Sequence, residues 1–113
     1  MHHGNHAMEG CIQACLDCHR TCLGTIAHCL SLGGAHAEAG HIRIMMDCAQ
    51  ICAVSADFMA RGSDHQTHIC RECAEICREC AASCSAHPGA DEMMRACAEA
   101  CRRCAEECGR MAA

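Results

Sequence analysis

Cysteine is the residue type that dominates the possible chemistry of this chain, with sixteen thiols in 113 residues. The spacing Cys-x3-Cys-x2-Cys-x3-Cys occurs three times, and a fourth, degraded copy lies between the first two. Thiols at this density are typical of soft-metal binding or of thiol redox chemistry. The copies are Cys11, Cys15, Cys18 and Cys22; Cys48, Cys52, Ser55 and Met59; Cys73, Cys77, Cys80 and Cys84; and Cys97, Cys101, Cys104 and Cys108.

These repeats predict that the thiols share one face of each of four helices. Steps of four, three and four residues are the a and d positions of a heptad, which point inward when helices pack side by side. We call these the seam positions. Extending each copy by one step toward its N-terminus finds sulfur every time, although that step was not used to set the register. The extended positions are Met8, Met45, Cys70 and Met94.

Helix-breaking residues separate the four seams. Gly33-Gly34 follows the first copy, Arg61-Gly62-Ser63-Asp64 the second, and His87-Pro88-Gly89 the third. Ser63 or Asp64, and Asp91, are the expected caps or first-turn acids of the helices that follow. Short loops make neighbouring helices antiparallel. The prediction is an all-α, antiparallel up-down-up-down four-helix bundle with a Cys-lined core. It is a single domain over 1–113, with helices over 5–32, 39–61, 64–87 and 90–111.

The composition excludes several classes of protein. Leu, Ile, Val and Phe supply only 13 residues, so the core must consist of sulfur and alanine. A bundle packed for stability alone would use Leu and Ile at its seams. The net charge of −5, with nine Arg and no Lys, argues against binding to nucleic acid or to an acidic membrane. The apolar runs are too short to span a bilayer, and the first residues lack the features of an export signal. We therefore expect a cytoplasmic protein with free thiols.

Charge selects the metal that such a core would hold. A zinc ion on four thiolates leaves a net charge of −2, and no basic residue at the seams offsets it. Cu(I) takes two or three sulfurs, and one Cu(I) per thiolate leaves the interior neutral. The prediction is multiple Cu(I) ions, on the order of one per Cys. Pairs four residues apart, such as Cys11/Cys15 and Cys18/Cys22, are the expected clamps, with third ligands from facing helices.

Other metal chemistry has weaker support in the sequence. Cys15-Leu16-Asp17-Cys18-His19 fits a c-type haem attachment pattern, but the other copies lack the His. Cys70, Cys73, Cys77 and Cys80 resemble ferredoxin spacing, although cluster ligands usually lie in loops. Sixteen similar thiols single out no nucleophile, so no enzyme is predicted. A zinc reservoir and an iron-sulfur or haem redox protein remain the alternatives.

The two ends of the predicted bundle differ in their seam residues. The end where the first helix stops and the second starts combines thiol, imidazole and thioether groups, which is the expected place for copper to enter. We call it the mouth, and its residues are Cys29, His41, Met45, His87 and Met94. His28 and His36 lie close in sequence and are expected to surround these residues without binding the metal directly. The far end carries Met8, Met59, Cys70 and Met111 beside Phe58 and is expected to be an apolar plug. The N-terminal amine and His3 would suit a separate Cu(II) site.

Aliphatic residues beside the first two seams exceed what a four-helix core needs, which suggests a homo-oligomer interface. They are Ile12, Leu16, Leu23, Ile26 and Leu30 in the first helix and Ile44, Ile51, Val54 and Phe58 in the second.

The repeated Cys helices and the Met/His mouth resemble the bacterial four-helix-bundle copper storage proteins of the cytosolic branch. This resemblance covers nearly the whole chain. It implies a homotetramer whose cores hold many Cu(I) ions on Cys thiolates, as a reserve or as a sink against toxicity, with a copper chaperone as a possible partner. The ligands implied are all sixteen cysteines, with His41, His87, Met45 and Met94 at the mouth. Ser55 and Met59 stand where the other copies have cysteine. Within their copy, Cu(I) is therefore expected only at Cys48 and Cys52.

Overall fold

Four long helices form the protein in the computed structural model, which describes the backbone of residues 2–113 and side chains from His6 onward. The His3 hypothesis therefore lies outside the described side chains. The helices are α1 (His2–Leu32), α2 (Ala39–Ala60), α3 (Gln66–Ala86) and α4 (Glu92–Ala112), with a short 3-10 helix (Gly34–Ala37) between α1 and α2. The residues described contain no strand.

The helix boundaries follow local capping chemistry. Asp91 caps α4 as predicted, because its carboxylate accepts a hydrogen bond from the Met94 amide at 3.0 Å. The prediction that Ser63 or Asp64 caps α3 is wrong. The Ser63 hydroxyl accepts from the His65 amide at 3.1 Å in a local turn, so α3 begins two residues later than expected, at Gln66. Gly33, Gly34 and Gly62 have positive φ, which lets the chain turn sharply after α1 and α2.

Successive helices pack side by side, and α4 returns to contact α1, so the four helices close a ring around one axis. Because the loops are short, neighbours run antiparallel and the predicted up-down-up-down bundle is confirmed. The molecule measures 49 × 19 × 19 Å. No helix in residues 2–113 combines the length and apolar character needed to cross a membrane.

The core has the composition that the sequence predicted. Every buried apolar residue among those described is Cys, Met or Ala. Five of the seven buried alanines among the described residues directly follow a seam cysteine, as at Cys73-Ala74, Cys80-Ala81, Cys97-Ala98 and Cys104-Ala105. Small residues at these positions let helix backbones approach closely. This close approach brings the sulfur atoms of facing helices within contact distance.

Candidate metal centre

All sixteen cysteine side chains point into the bundle. Each is completely buried, and none takes part in a disulfide. The predicted ligands Met45 and Met94 are also completely buried, and His41 is 5% exposed. His87 differs because it is only half-buried, in the loop between α3 and α4.

The shortest sulfur contacts run between helices. The Sγ atom of Cys15 lies 3.5 Å from that of Cys108 and 3.6 Å from that of Cys104. Cys52 and Cys77 are 3.6 Å apart. Among the predicted clamps four residues apart, Cys18/Cys22 and Cys73/Cys77 have sulfurs within contact distance, at 4.0 and 3.9 Å. The network is therefore continuous across all four helices and does not divide into one clamp per helix turn.

Fourteen of the sixteen cysteines fall into compact groups whose sulfurs all lie within 4.8 Å of one another. The two outside these groups are Cys29 and Cys84, both toward the mouth. The groups share members, so that Cys101 belongs to two of them and Cys104 to two others. The groups are Cys15/Cys73/Cys104/Cys108, Cys18/Cys22/Cys48/Cys101, Cys18/Cys52/Cys77/Cys104, Cys22/Cys80/Cys97/Cys101 and Cys11/Cys70/Cys108.

The sulfur spacing fits a soft metal ion. A metal–sulfur bond of about 2.3 Å, as in zinc thiolates, puts sulfurs about 4 Å apart around a three-coordinate ion. Contacts such as Cys18–Cys101 at 3.7 Å and Cys48–Cys101 at 3.8 Å come within a few tenths of an ångström of that separation. Metal ions could therefore enter with small side-chain adjustments and no movement of the helices.

The core provides no positive charge to balance thiolates. All nine arginines are exposed, and the buried polar residues among those described are Thr25, His41 and Ser55. Each thiol in the core must therefore keep its proton until a metal ion takes the proton's place.

Hydrogen bonds between thiols shift the pKa values of the core cysteines in both directions. The Cys104 thiol donates to Cys15 at 3.6 Å, and this bond is the main reason why the pKa of Cys15 is lowered. The pKa of Cys104 is raised, first by its hydrogen bond with Cys108 and then by the bond with Cys15. Hydrogen bonds within the network therefore lower the pKa of some thiols and raise the pKa of others. Metal binding would displace these shared protons.

At the mouth, Cys29 and His41 are in contact near the ends of α1 and α2. The His41 Nε2 atom lies 3.7 Å from the Cys29 sulfur, and Nδ1 is 2.8 Å from the Ser83 hydroxyl, which fixes the ring. Burial, followed by the neighbouring His87, lowers the pKa of His41. Burial, followed by the Asp91 carboxylate, raises the pKa of Cys29. Both side chains are therefore neutral near pH 7, and the imidazole is in the form that binds metal.

Two histidines connect the loops that cover the mouth. The Gly89 amide donates to His87 Nδ1 at 2.9 Å, so Nε2 carries the proton and donates to the Ala35 carbonyl at 3.0 Å. From the other loop, His36 Nε2 donates to the Gly89 carbonyl at 2.8 Å. The two rings lie 4.8 Å apart, and His87 lies 5.0 Å from His41. Both nitrogens of His87 are already hydrogen-bonded, so a metal would have to displace one of these bonds.

Two further histidines, His28 and His19, make structural contacts on the side of the bundle and at the mouth. His28 pairs with Asp91 at 2.6 Å, and this hydrogen bond is the main cause of the lowered pKa of Asp91. His19 reaches the Ala49 carbonyl at 2.7 Å and so joins α1 to α2.

At the far end, the thiol network ends in three cysteines and a hydroxyl. Cys11, Cys70 and Cys108 form the three-membered group, and Ser55 Oγ lies 3.6 Å from the Cys70 sulfur. The hydrogen bond with Cys108 is the main reason why the pKa of Cys70 is raised to about 11. Ser55 occupies the place where a fourth thiol would complete a group like those in the middle.

Comparison with known proteins places this arrangement in a family. A family model described as Csp, copper storage protein, matches residues 4–113. The chain belongs to the copper storage protein family. The predicted resemblance is therefore confirmed.

Solved structures of copper storage proteins are similar over almost the whole chain. The Cu(I)-bound copper storage protein BsCsp3 is 39% identical, with 95% of this chain and 99% of that chain covered at a TM-score of 0.88. A cytosolic copper storage protein from Streptomyces lividans, loaded with five coppers, is 33% identical over 95% and 92% of the two chains, at 0.82. The Nmul_A1745 protein from Nitrosospira multiformis is 47% identical over 96% of each, at 0.88.

Several residues of this copper storage family core were missed by sequence reasoning. Thr25 is completely buried at a seam position between Cys22 and Cys29, with its hydroxyl donating to the Thr21 carbonyl at 2.8 Å. Extending the repeat by one step would have found it. Ser83, which orients His41, lies off the seams and has no sequence signal. The His36 bond to Gly89 depends on how two loops meet, which spacing alone does not reveal.

Proposed function

We propose that this chain stores or sequesters copper by holding multiple Cu(I) ions on its core thiolates, on the order of one per Cys. The observation that carries the proposal is the overlap of the thiol groups in a core without buried cations. Shared sulfurs suit an ion that accepts two or three thiolates and lets each thiolate bridge two ions.

The same overlap argues against a zinc reservoir. A zinc ion in an all-thiolate structural site is bound by four sulfurs. Because Cys18, Cys22, Cys101 and Cys104 each belong to two of the four-membered groups, at most two of those groups can be filled at once without sharing. Most of the remaining thiols would then be unused. Each filled group would also add a net charge of about −2 to a core that has nothing to offset it.

The proposed ligands are the sixteen cysteines, with the mouth as the place where copper enters. His41 and Cys29 would take an arriving ion first, because they are in contact at the outer end of the seams, near the ends of α1 and α2, and the imidazole is neutral. Met45 and Met94 are secondary ligands next to this pair. His87 would contribute only after releasing Ala35 or Gly89.

The wider setting is also part of the proposal. We propose one storage domain over 1–113, without catalysis, in the cytoplasm, as for the Streptomyces protein described as cytosolic. A homotetramer is supported by the aliphatic side chains on the outer face of α1, where Leu16, Leu23 and Leu30 are 41%, 49% and 54% exposed. A copper chaperone would exchange metal at the mouth.

Anaerobic competition between Cu(I) and Zn(II) in the presence of a chelator tests the proposal. Metal-free protein is titrated, bound ions are counted by native mass spectrometry, and the visible spectrum is recorded. We expect roughly sixteen Cu(I) per chain, displacement of zinc by copper, and no visible colour. A plateau at two to four ions with zinc retained would overturn the copper assignment, and visible absorption would favour an iron-sulfur or haem protein.

A further inference from the structure

The layer beyond the last thiols at the far end combines three methionines with an amide. Met59 is buried, Met8 and Met111 are partly buried and pack against the core, and Gln66 begins α3. We call Met8, Met59, Gln66 and Met111 the end layer. None of them belongs to the thiol groups described above. No hydrogen bond among the described residues accounts for methionine at these three positions.

The register of the helices brings the end layer together. Cys11 on α1 contacts Cys108 on α4 at 3.6 Å, and one turn further out these helices carry Met8 and Met111. On the opposite side of the ring, Ser55 on α2 lies 3.6 Å from Cys70 on α3. One turn further out are Met59 and Gln66. All four end-layer residues therefore occupy seam positions at one level of the bundle.

The amide of Gln66 is unsatisfied. Its Oε1 atom is buried and has no hydrogen-bond partner among the side chains that the structure describes, from His6 onward. A buried acceptor without a donor costs about 1–3 kcal/mol, so most such atoms in native proteins have a partner. A cation at this level would give Oε1 the missing interaction. If the end layer were only an apolar plug, Leu at the methionine positions and at Gln66 would serve better.

A solvent-facing cavity lies beside two of the methionines, Met8, which is partly buried, and Met59, which is buried. It has a volume of about 400 Å³ and is lined by Met8, Met59, Glu9 and Arg61, among others. The Arg61 guanidinium is engaged with the Phe58 ring, 4.2 Å from its centroid. The inner side of the end layer faces the three thiols of Cys11, Cys70 and Cys108. An ion could therefore reach the layer from solvent.

We propose that the end layer binds one soft monovalent cation, Cu(I), through the thioethers of Met8, Met59 and Met111 and the Gln66 carbonyl oxygen. Thioethers are neutral soft ligands that favour Cu(I) over Zn(II) or Ca²⁺. Because they carry no charge, the site is weaker than the thiolate groups and fills after them. It rests on the proposed function, since the cation is the one that the thiols store. The bundle would then have a copper contact at each end.

Silver titration followed by methionine methyl NMR tests this site on the full-length protein. Ag(I) has the charge and softness of Cu(I) and does not change oxidation state. With ¹³C-labelled methionine methyl groups, we expect Met8, Met59 and Met111 to shift together when one ion is added after the thiols are saturated. The exposed Met46 and Met93 methyls are internal controls that should not shift. Unmoved end-layer methyls up to excess silver would overturn the proposal.

Variants separate a binding site from a packing role. The triple variant Met8→Leu/Met59→Leu/Met111→Leu should bind one ion fewer by native mass spectrometry, whereas Met46→Leu/Met93→Leu should bind the full number. Gln66→Glu keeps the thioethers and adds a charge, so it should tighten the last ion about tenfold or more. Equal ion counts in both Leu variants, or unchanged affinity in Gln66→Glu, would contradict the site.

These outcomes are distinct from failure of the proposed function. If the thiols take up two to four ions and retain zinc, copper storage fails whatever the methionines do. If the thiols load fully and the end-layer methyls stay unmoved, only the end-layer site fails.

Discussion

The thiols in the middle of the core and the histidines at the mouth differ in how their neighbours hold them. In the middle, thiols contact several other thiols across helices, and groups share members such as Cys101 and Cys104. At the mouth, each ring has its own fixed partner, Ser83 for His41 and Ala35 for His87. Shared ligands favour capacity, because one sulfur serves several ions. Individually fixed ligands favour control over which ion passes and how fast.

The largest expected effect comes from removing shared thiols. Cys101→Ser/Cys104→Ser touches all four of the four-membered groups, so the chain should lose roughly four or more Cu(I) ions. The matched variant Cys29→Ser/Cys84→Ser removes two thiols outside the groups and should lose about two. Native mass spectrometry of copper-saturated protein gives both counts. Equal losses would show that sharing has no effect on capacity.

Removing the mouth imidazole should affect rate more than capacity. His41→Ala leaves the sixteen thiols intact but removes the neutral ligand next to Cys29. We expect initial Cu(I) uptake, followed by stopped-flow chelator absorbance, to slow about tenfold while capacity changes by one ion at most. His19→Ala, which alters an imidazole on the side of the bundle, is the control. An unchanged rate in His41→Ala would mean that copper enters elsewhere.

A new thiol should extend the pattern of the middle to the far end. Ser55→Cys places a fourth sulfur beside Cys11, Cys70 and Cys108, and we expect about one additional Cu(I) per chain under chelator competition. Ser85→Cys adds a thiol on the exposed face of α3 and should add none. A gain in Ser85→Cys equal to that in Ser55→Cys would contradict the importance of burial.

The smallest effect concerns the loops that cover the mouth. A Cβ atom at Gly89 would lie 2.5 Å from His36 Cε1, so Gly89→Ala must displace His36 and break its bond to the Gly89 carbonyl. The Tm should fall by a few degrees, and copper release should become faster. Gly109→Ala, in open space within α4, should raise stability by up to about 1 kcal/mol. If Gly89→Ala matched Gly109→Ala, the loops would not be held together by His36.

The sequence predicted the fold well because one periodic signal sets both helix and core. The steps between cysteines indicated four inward faces, and the Gly and Pro residues indicated where the chain turns. The α3 boundary was predicted wrongly because Ser63 and Asp64 are good capping residues, yet Ser63 is used in a turn. Local preference does not reveal which of two possible hydrogen bonds forms.

The candidate site was predictable only in part. Which residues are buried followed from the seam register, including Met45 and Met94 at the mouth. The sharing of sulfurs between groups did not follow, because it depends on the separations between facing helices. The hydrogen bonds that occupy both nitrogens of His87 depend on the meeting of two loops that are 52 residues apart in sequence.

The number of protons released for each copper bound is the most direct test of a core that soft monovalent ions keep neutral. Metal-free protein in weak buffer near pH 7 is titrated anaerobically with Cu(I), and the protons are measured together with the bound ions. One ion per thiolate predicts about one proton per copper until saturation near sixteen ions. Release of about two protons per copper, with saturation near eight, would mean that each ion takes two thiolates and that the core accumulates negative charge, which contradicts the account.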